Sequence, residues 1–187
     1  MRKNFGAKPF LYPMPVLIIA TYGEDGTPDA MNAAWGCIAD QDQISIYLSA
    51  SHKTVQNILQ RRAFTVSMAN ASHVVEADYV GIVSANAVPD KLERAGLHPI
   101  PSAFVDAPLI AELPMALECT MIQYDEESER MLGKIVNVSA DDSVLGEDGR
   151  IDPEKLQPIT FDPIHHTYRK LGECIGFASQ DGKKLQK

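Results

Sequence analysis

From Gln43 to Ala50 the chain reads Gln-Ile-Ser-Ile-Tyr-Leu-Ser-Ala, so Ile44, Ile46 and Leu48 alternate with Ser45, Tyr47 and Ser49. A period of two puts the aliphatic side chains on one face of a strand, which a helix cannot do. Strand character recurs in Val16–Tyr22, Ala63–Ala69, Met131–Ser139 and Pro158–Phe161, and Met115, Leu117, Cys119 and Met121 alternate in the same way. The connections are short. Asp25-Gly26 supplies a turn with easy access to positive φ, after which the chain returns through Asp29 to Ala39, and the acidic run Asp125–Glu129 turns in solvent. Strands joined this way, with few helices between them, do not make a regular βαβ repeat. They predict a closed or nearly closed antiparallel barrel.

The helical segments are few. Val55, Ile58, Leu59 and Arg62 share helical spacing after Ser51, a natural cap. Ser72–Tyr79 is expected to be helical, with Val74, Val75 and Tyr79 as its buried stripe. Asp90 and Glu93 form a capping-box pattern closed by Gly96, and Asp152-Pro-Glu-Lys-Leu156 is a short capped helix with proline in its first turn. Pro99, Pro101, Pro108 and Pro114 mark a connector between the two halves. Gln180–Lys187 is expected to fray.

With 187 residues, the chain fits one domain spanning 1–187. At 20.5 kDa it buries enough surface for a core that needs no metal or disulfide staple. Seventeen basic against 25 acidic residues give a net charge of -8, which argues against nucleic acid as the main partner but leaves room for a small phosphate ligand. Cys37, Cys119 and Cys174 form no CxxC pair, and an odd number does not suit a disulfide framework. No apolar run reaches the length of a membrane span, and the start Met-Arg-Lys-Asn-Phe lacks the apolar segment of a signal peptide. The expected compartment is the cytoplasm, without membrane attachment.

Two segments carry candidate chemistry. Ser49-Ala-Ser-His-Lys-Thr54 lies where a strand gives way to a helix. Free N–H groups of a first helical turn, the Ser51 and Thr54 hydroxyls and the Lys53 ammonium together make a phosphate cradle, or else an ordinary capped surface helix. In Met31-Asn-Ala-Ala-Trp-Gly36, the Asn32 amide can read donors and acceptors on a heterocycle, while Ala33 and Ala34 permit close backbone approach. Trp35 taken alone is expected to pack in the core; its other use is to cover an aromatic ligand. His165-His166 lacks a supporting ligand set, so no metal site is expected. Cys119, in an apolar alternating strand, reads as a buried thiol rather than a nucleophile. His52 can contact phosphate, but no nucleophile accompanies it for base catalysis. GxGxxG and GxxxxGK[ST] loops are both absent from the sequence.

At these residues the sequence resembles the flavin reductase-like family, in its flavoredoxin-like branch. The resemblance runs from Pro13-Met-Pro-Val16 to Tyr168-Arg-Lys-Leu-Gly-Glu173. It takes in Asp25-Gly-Thr-Pro28, Met31-Asn-Ala-Ala-Trp35, Ser51-His-Lys-Thr54 and Asp78-Tyr-Val-Gly-Ile-Val-Ser84. Asp90-Lys-Leu92, Ala107-Pro-Leu-Ile-Ala-Glu112 and Leu117-Glu-Cys119 follow in order. It implies a mainly β, FMN-binding split barrel of antiparallel, Greek-key-like strands, assembled as a homodimer with flavin near the interface. Asn32, Ala33, Ala34 and Trp35 would then border the isoalloxazine ring, and Ser49 and Ala50 would lead toward the cofactor. Ser51, Lys53 and Thr54, with His52 close by, would hold the FMN phosphate. Ser84 and Lys91 would approach from the other side. Family members often carry arginine near the first phosphate motif, where this chain has His52-Lys53. The implied activity is redox chemistry by flavin, with electrons passing from NAD(P)H to a protein or small-molecule acceptor. An FMN-binding electron carrier without rapid NAD(P)H oxidation and a non-redox ligand-binding barrel remain as alternatives.

Overall fold

The structure is a computed structural model and describes residues 1–186. In chain order the elements are β1 (Met14–Pro15), β2 (Leu17–Tyr22), β3 (Pro28–Ala33), β4 (Gly36–Asp40), β5 (Gln43–Tyr47), α1 (Lys53–Arg61) and β6 (Ala63–Met68). Next come α2 (Val74–Ile82), α3 (Lys91–Arg94), β7 (Pro99–Pro101), β8 (Pro108–Ile110), β9 (Met115–Asp125) and β10 (Arg130–Ala140). The chain closes with α4 (Pro153–Leu156), β11 (Ile159–Asp162) and β12 (Thr167–Lys170).

The return expected from Asp29 to Ala39 is two strands, and this break sets the architecture. The main sheet runs β3-β2-β6-β9-β10-β5-β4, so β3 and β4 lie at opposite edges although only Ala34 and Trp35 separate them. Laid flat at about 4.8 Å per strand, those edges would stand roughly 29 Å apart. Two linking residues reach about 11 Å at full stretch, three Cα steps of about 3.8 Å. The sheet therefore curls until its edges nearly meet, which is the mainly β, antiparallel split barrel expected from the sequence. Small sheets of β1-β11-β12 and β7-β8 flank it.

β2 explains why its sequence reads as a continuous apolar run. Leu17 and Ile19 face the barrel interior with Ile44, Ile46, Phe64, Cys119 and Met131, while Ile18 and Ala20 face a second cluster with Ala77, Val80 and Leu92 under α2 and α3. A strand buried on both faces has no polar alternation. The interior is closed by α1, whose Val55 and Ile58 are fully buried, whereas Leu59 is exposed. At Gly133 an added Cβ would stand 2.4 Å from Phe64 Cζ, so the absence of a side chain lets the Phe64 ring lie across β10 at its register shift.

Local expectations need several corrections. The cap of α1 is His52, without a side-chain hydrogen bond, and Ser51 precedes it. α2 buries Ala77 and Val80, with Val74 and Tyr79 packed beside them; Val75, expected in the stripe, is exposed because the inward face is the one that carries Ala77 and Val80. Asp90 bonds Arg94 Nε at 2.8 Å instead of capping α3. Asp152 does cap α4, accepting from Glu154 N. β12, pairing with β11 from Thr167 to Lys170, was not expected, since Thr-Tyr-Arg-Lys carries no apolar alternation. Beyond it, Asp181–Leu185 forms an exposed 3-10 turn.

Candidate functional site

At the end of β5 the chain turns sharply. Leu48 N donates to Glu129 O and Tyr124 Oη donates to Leu48 O, which fixes the last buried residue before the loop. His52 N donates to Ser49 O, and the Ser49 and Ser51 hydroxyls lie 3.2 Å apart. α1 then starts with no side-chain cap and no acidic residue in its first turn. Its first amides are thus left to solvent or a ligand, at the positive end of a nine-residue helix. Ser51 and His52 are exposed at this end, and Ala50 is exposed just before them.

Thr54 and Lys91 face inward, to Asp29. Thr54 Oγ1 donates to Asp29 Oδ2 at 2.5 Å, and Lys91 Nζ stands 2.8 Å from Asp29 Oδ1, a close ion pair out of line for a hydrogen bond. Lys91 Nζ also donates to Val83 O at 3.2 Å. All three side chains are at most 3% exposed. This chain joins β3, the start of α1 and the loop that carries Ser84. Ser84 itself is exposed and accepts from Asn86 N. Asp29 is a residue that sequence reasoning treated only as part of a strand. Its signal was an aspartate between Pro28 and Ala30 in a run otherwise fit for the core, where a carboxylate persists only if paired.

Three cavities surround these groups. One of about 450 Å³ is lined by Asp25, Thr27, Asp29, Lys53, Asn57 and Ala85. Lys53 thus faces the Ser84 loop across it. Asn57, one turn beyond Lys53, is 1% exposed, and neither of its amide atoms has a hydrogen-bond partner among the described residues. Sequence reading passed over Asn57, because nothing in the helical pattern separates an orphaned amide from a solvated one. Asp25 sits at the rim, its carboxyl held below the usual range by the Thr27 backbone N–H and hydroxyl, with a further contribution from Lys53.

The Asn32–Trp35 stretch separates the other two. A cavity of about 240 Å³ is lined by Asn32, Ala34, Asp78, Gly81, Phe161 and Tyr168. On the other side, about 560 Å³ opens between Ala34, Trp35, Cys37 and Tyr47 and the N-terminal segment through Phe10. Trp35 is 57% exposed, which overturns its expected place in the core: it lies on the crossing between the sheet edges, where Trp35 O accepts from Tyr47 N. Asn32 Nδ2 donates to Ala77 O at 2.9 Å, and Ala33 is in register with Leu17. Ser49, Ala50, Ser51, His52 and Ser84 line none of these three cavities.

Cys119 and His165 are tied into structure. Burial pushes the Cys119 thiol up to about 12, as expected of a core cysteine. His165 Nδ1 lies 2.9 Å from Asp162 Oδ2, and Arg169 Nε and Tyr12 Oη bond the same carboxylate.

Comparisons with known proteins bear on the family and the fold. A family model, flavin reductase like domain, matches residues 10–165. The chain belongs to the flavin reductase-like family. Flavoredoxin of Desulfovibrio vulgaris (Miyazaki F) is 37% identical, with a TM-score of 0.94 over 98% of this chain and 100% of that one. A flavoredoxin from Methanosarcina acetivorans is 23% identical, with a TM-score of 0.89 over 99% of each chain. An FMN-binding domain of a flavin reductases-like enzyme from Shewanella baltica OS155 is 20% identical, with a TM-score of 0.78 over 87% of this chain and 88% of the other. The last two likenesses bear on the fold alone. No helix among the described residues is long and apolar enough to cross a membrane.

Proposed function

We propose that this member of the flavin reductase-like family binds FMN and passes electrons through it, from NAD(P)H to an acceptor that is a small molecule or a protein. The observation that carries the reading is the uncapped start of α1, with Lys53 beside it and Asn32–Trp35 across the sheet crossing. The residues present fit such a group. The free first-turn amides and Lys53 suit a phosphate, and the orphaned Asn57 amide leaves polar capacity unused in the same cleft. Small Ala33 and Ala34 and the exposed Trp35 suit the approach of a flat ring.

In this reading Ser51, His52 and Lys53 hold the phosphate, Ser49 and Ala50 shape the backbone path to it, and Asn32 to Trp35 border the ring. Thr54 offers its amide, since its hydroxyl is given to Asp29. Lys91 acts through Asp29 and Val83, fixing Thr54 and the Ser84 loop on the far side. Flavin, when bound, supplies hydride and single-electron chemistry that amino acid side chains lack. The protein's part is to orient the ring and to exclude water with Trp35 and the flanking segment.

A homodimer belongs to the same proposal. The chain exposes 11,543 Å², against about 8,900 Å² for a compact monomer of this mass. Ile38, Ile122, Val136 and Val138 lie exposed on strands, and the segment before Met14 is exposed throughout. Sedimentation of only a 20.5 kDa species at micromolar concentration would contradict assembly.

A yellow protein on purification, or saturable FMN binding by the apoprotein, is the expected outcome; an apoprotein that takes up no FMN removes the proposal. The electron-carrier alternative is separated by anaerobic stopped-flow. Rapid bleaching with NADH or NADPH supports the oxidoreductase, and bleaching only by a reducing protein supports the carrier.

A further inference from the structure

The 240 Å³ cavity beside Asn32 holds a polar constellation that the phosphate site does not use. α2 contributes Asp78, β12 contributes Tyr168 and β3 contributes Asn32. The approach of α2 to β3 is close: a Cβ on Gly81 would lie 2.9 Å from Asn32 Cβ, so only glycine lets the two elements meet here. Asn32 Nδ2 gives one proton to Ala77 O, which fixes the amide, and the same side chain also bonds the Tyr168 hydroxyl. Tyr168 Oη donates to Asp78 Oδ1 at 2.7 Å. Burial and the neighbouring carboxylate push the Tyr168 phenol up to about 12, so it remains a donor at all ordinary pH. The other Asp78 oxygen takes no hydrogen bond from the described residues. Val16, Ile82 and Phe161 supply apolar walls. One carboxylate oxygen is thus left to accept in a small slot with apolar walls.

We propose that Asp78, oriented by Tyr168 and flanked by Asn32, reads the imide edge of the bound heterocycle. Asp78 accepts a hydrogen bond from the ring N–H with the oxygen that Tyr168 leaves free. The inference rests on the flavin reading above, since flavin carries such an imide at the end of its ring system. It adds two recognition residues, Asp78 and Tyr168, to that site. It also assigns the cavity a ligand class, planar heterocycles with an N–H between two carbonyls. A purely structural pair, clamping β12 onto α2, would be indifferent to the ligand's N–H.

The test compares riboflavin with 3-methylriboflavin, which keeps the ring and loses that N–H, by quenching of flavin fluorescence on titration into the apoprotein. Riboflavin lacks the phosphate, so the comparison is independent of α1. Loss of one charge-assisted hydrogen bond predicts that the wild type binds the methylated ligand roughly 10- to 100-fold more weakly. Asp78→Ala should weaken riboflavin and shrink that discrimination to about threefold or less, while Asp78→Asn, which keeps an acceptor and the shape, restores part of it. Tyr168→Phe should weaken riboflavin while retaining some discrimination. Equal affinity of the wild type for the two ligands overturns the inference while leaving flavin binding intact, and so does undiminished discrimination in Asp78→Ala. Failure of the wild type to bind FMN or riboflavin at all overturns the flavin reading together with it.

Discussion

Removing Lys91 offers a stringent test of the link between the helix start and the sheet. Lys91 and Asp29 are each 3% exposed, and among the described residues the carboxylate has only Thr54 Oγ1 and the Lys91 ammonium to replace water. Lys91→Met keeps much of the aliphatic volume but strands a buried anion, at a cost of about 3–5 kcal/mol. At about 2–4 °C per kcal/mol for a chain of this size, the midpoint falls by about 6–20 °C. Asp29→Asn/Lys91→Met removes both charges and keeps an acceptor for Thr54, so it should recover at least about half of the loss. Urea unfolding of the wild type, both single variants and the double variant gives the coupling energy directly. A further readout separates structure from ligand contact. If Lys91 acts through Asp29, Lys91→Met lowers stability while the ratio of FMN to riboflavin affinity stays as in the wild type. A single variant within about 1 kcal/mol of the wild type would refute the reasoning, because it would mean that water already reaches Asp29.

Other consequences follow from single contacts. Gly133→Ala drives a methyl toward Phe64 Cζ, 2.4 Å away, and should cost about 1–3 kcal/mol in urea unfolding; a loss under about 0.5 would mean that β10 yields freely. Cys37 and Cys174 are exposed while Cys119 is buried, so a thiol reagent should titrate two groups in the native protein and the third only after denaturation. Asp162, held well below the usual carboxylate range chiefly by the Tyr12 hydroxyl, contributes stability that is present at neutral pH and is lost as pH falls below about 4. Asp162→Asn should therefore flatten the acid limb of the stability profile, and an unchanged limb would contradict that role.

How much of this was legible in the sequence depends on the range of the interaction. Ile44, Ile46 and Leu48 declared their face because alternation is local, and Asp152 declared a cap because its bond spans two residues. The barrel itself followed from strand density. What local pattern could not convey was that β3 and β4 part at Ala34 to opposite edges, since that depends on the partners β2 and β5 supply. Trp35 was misjudged for this reason: hydrophobicity predicts burial, but its place on the crossing leaves it outside. Thr54 was singled out as a ligand contact from residue type and Lys91 from the family resemblance, yet Asp29, 25 and 62 residues away along the chain, claims both side chains. The Asp78–Tyr168 pair lay beyond reach for the same cause, with its members 90 positions apart and β12 hidden in a polar stretch.

The claim that matters most is that the start of α1 receives a phosphate. It is measured most directly as the ratio of FMN to riboflavin affinity, in the wild type and in a variant replacing Ser51 and Lys53 by Ala, which leaves the buried Thr54–Asp29 bond in place. The account predicts a strong preference for FMN that collapses in the variant, with riboflavin affinity much less changed. Equal losses for the two ligands, or no preference for FMN in the wild type, would contradict it.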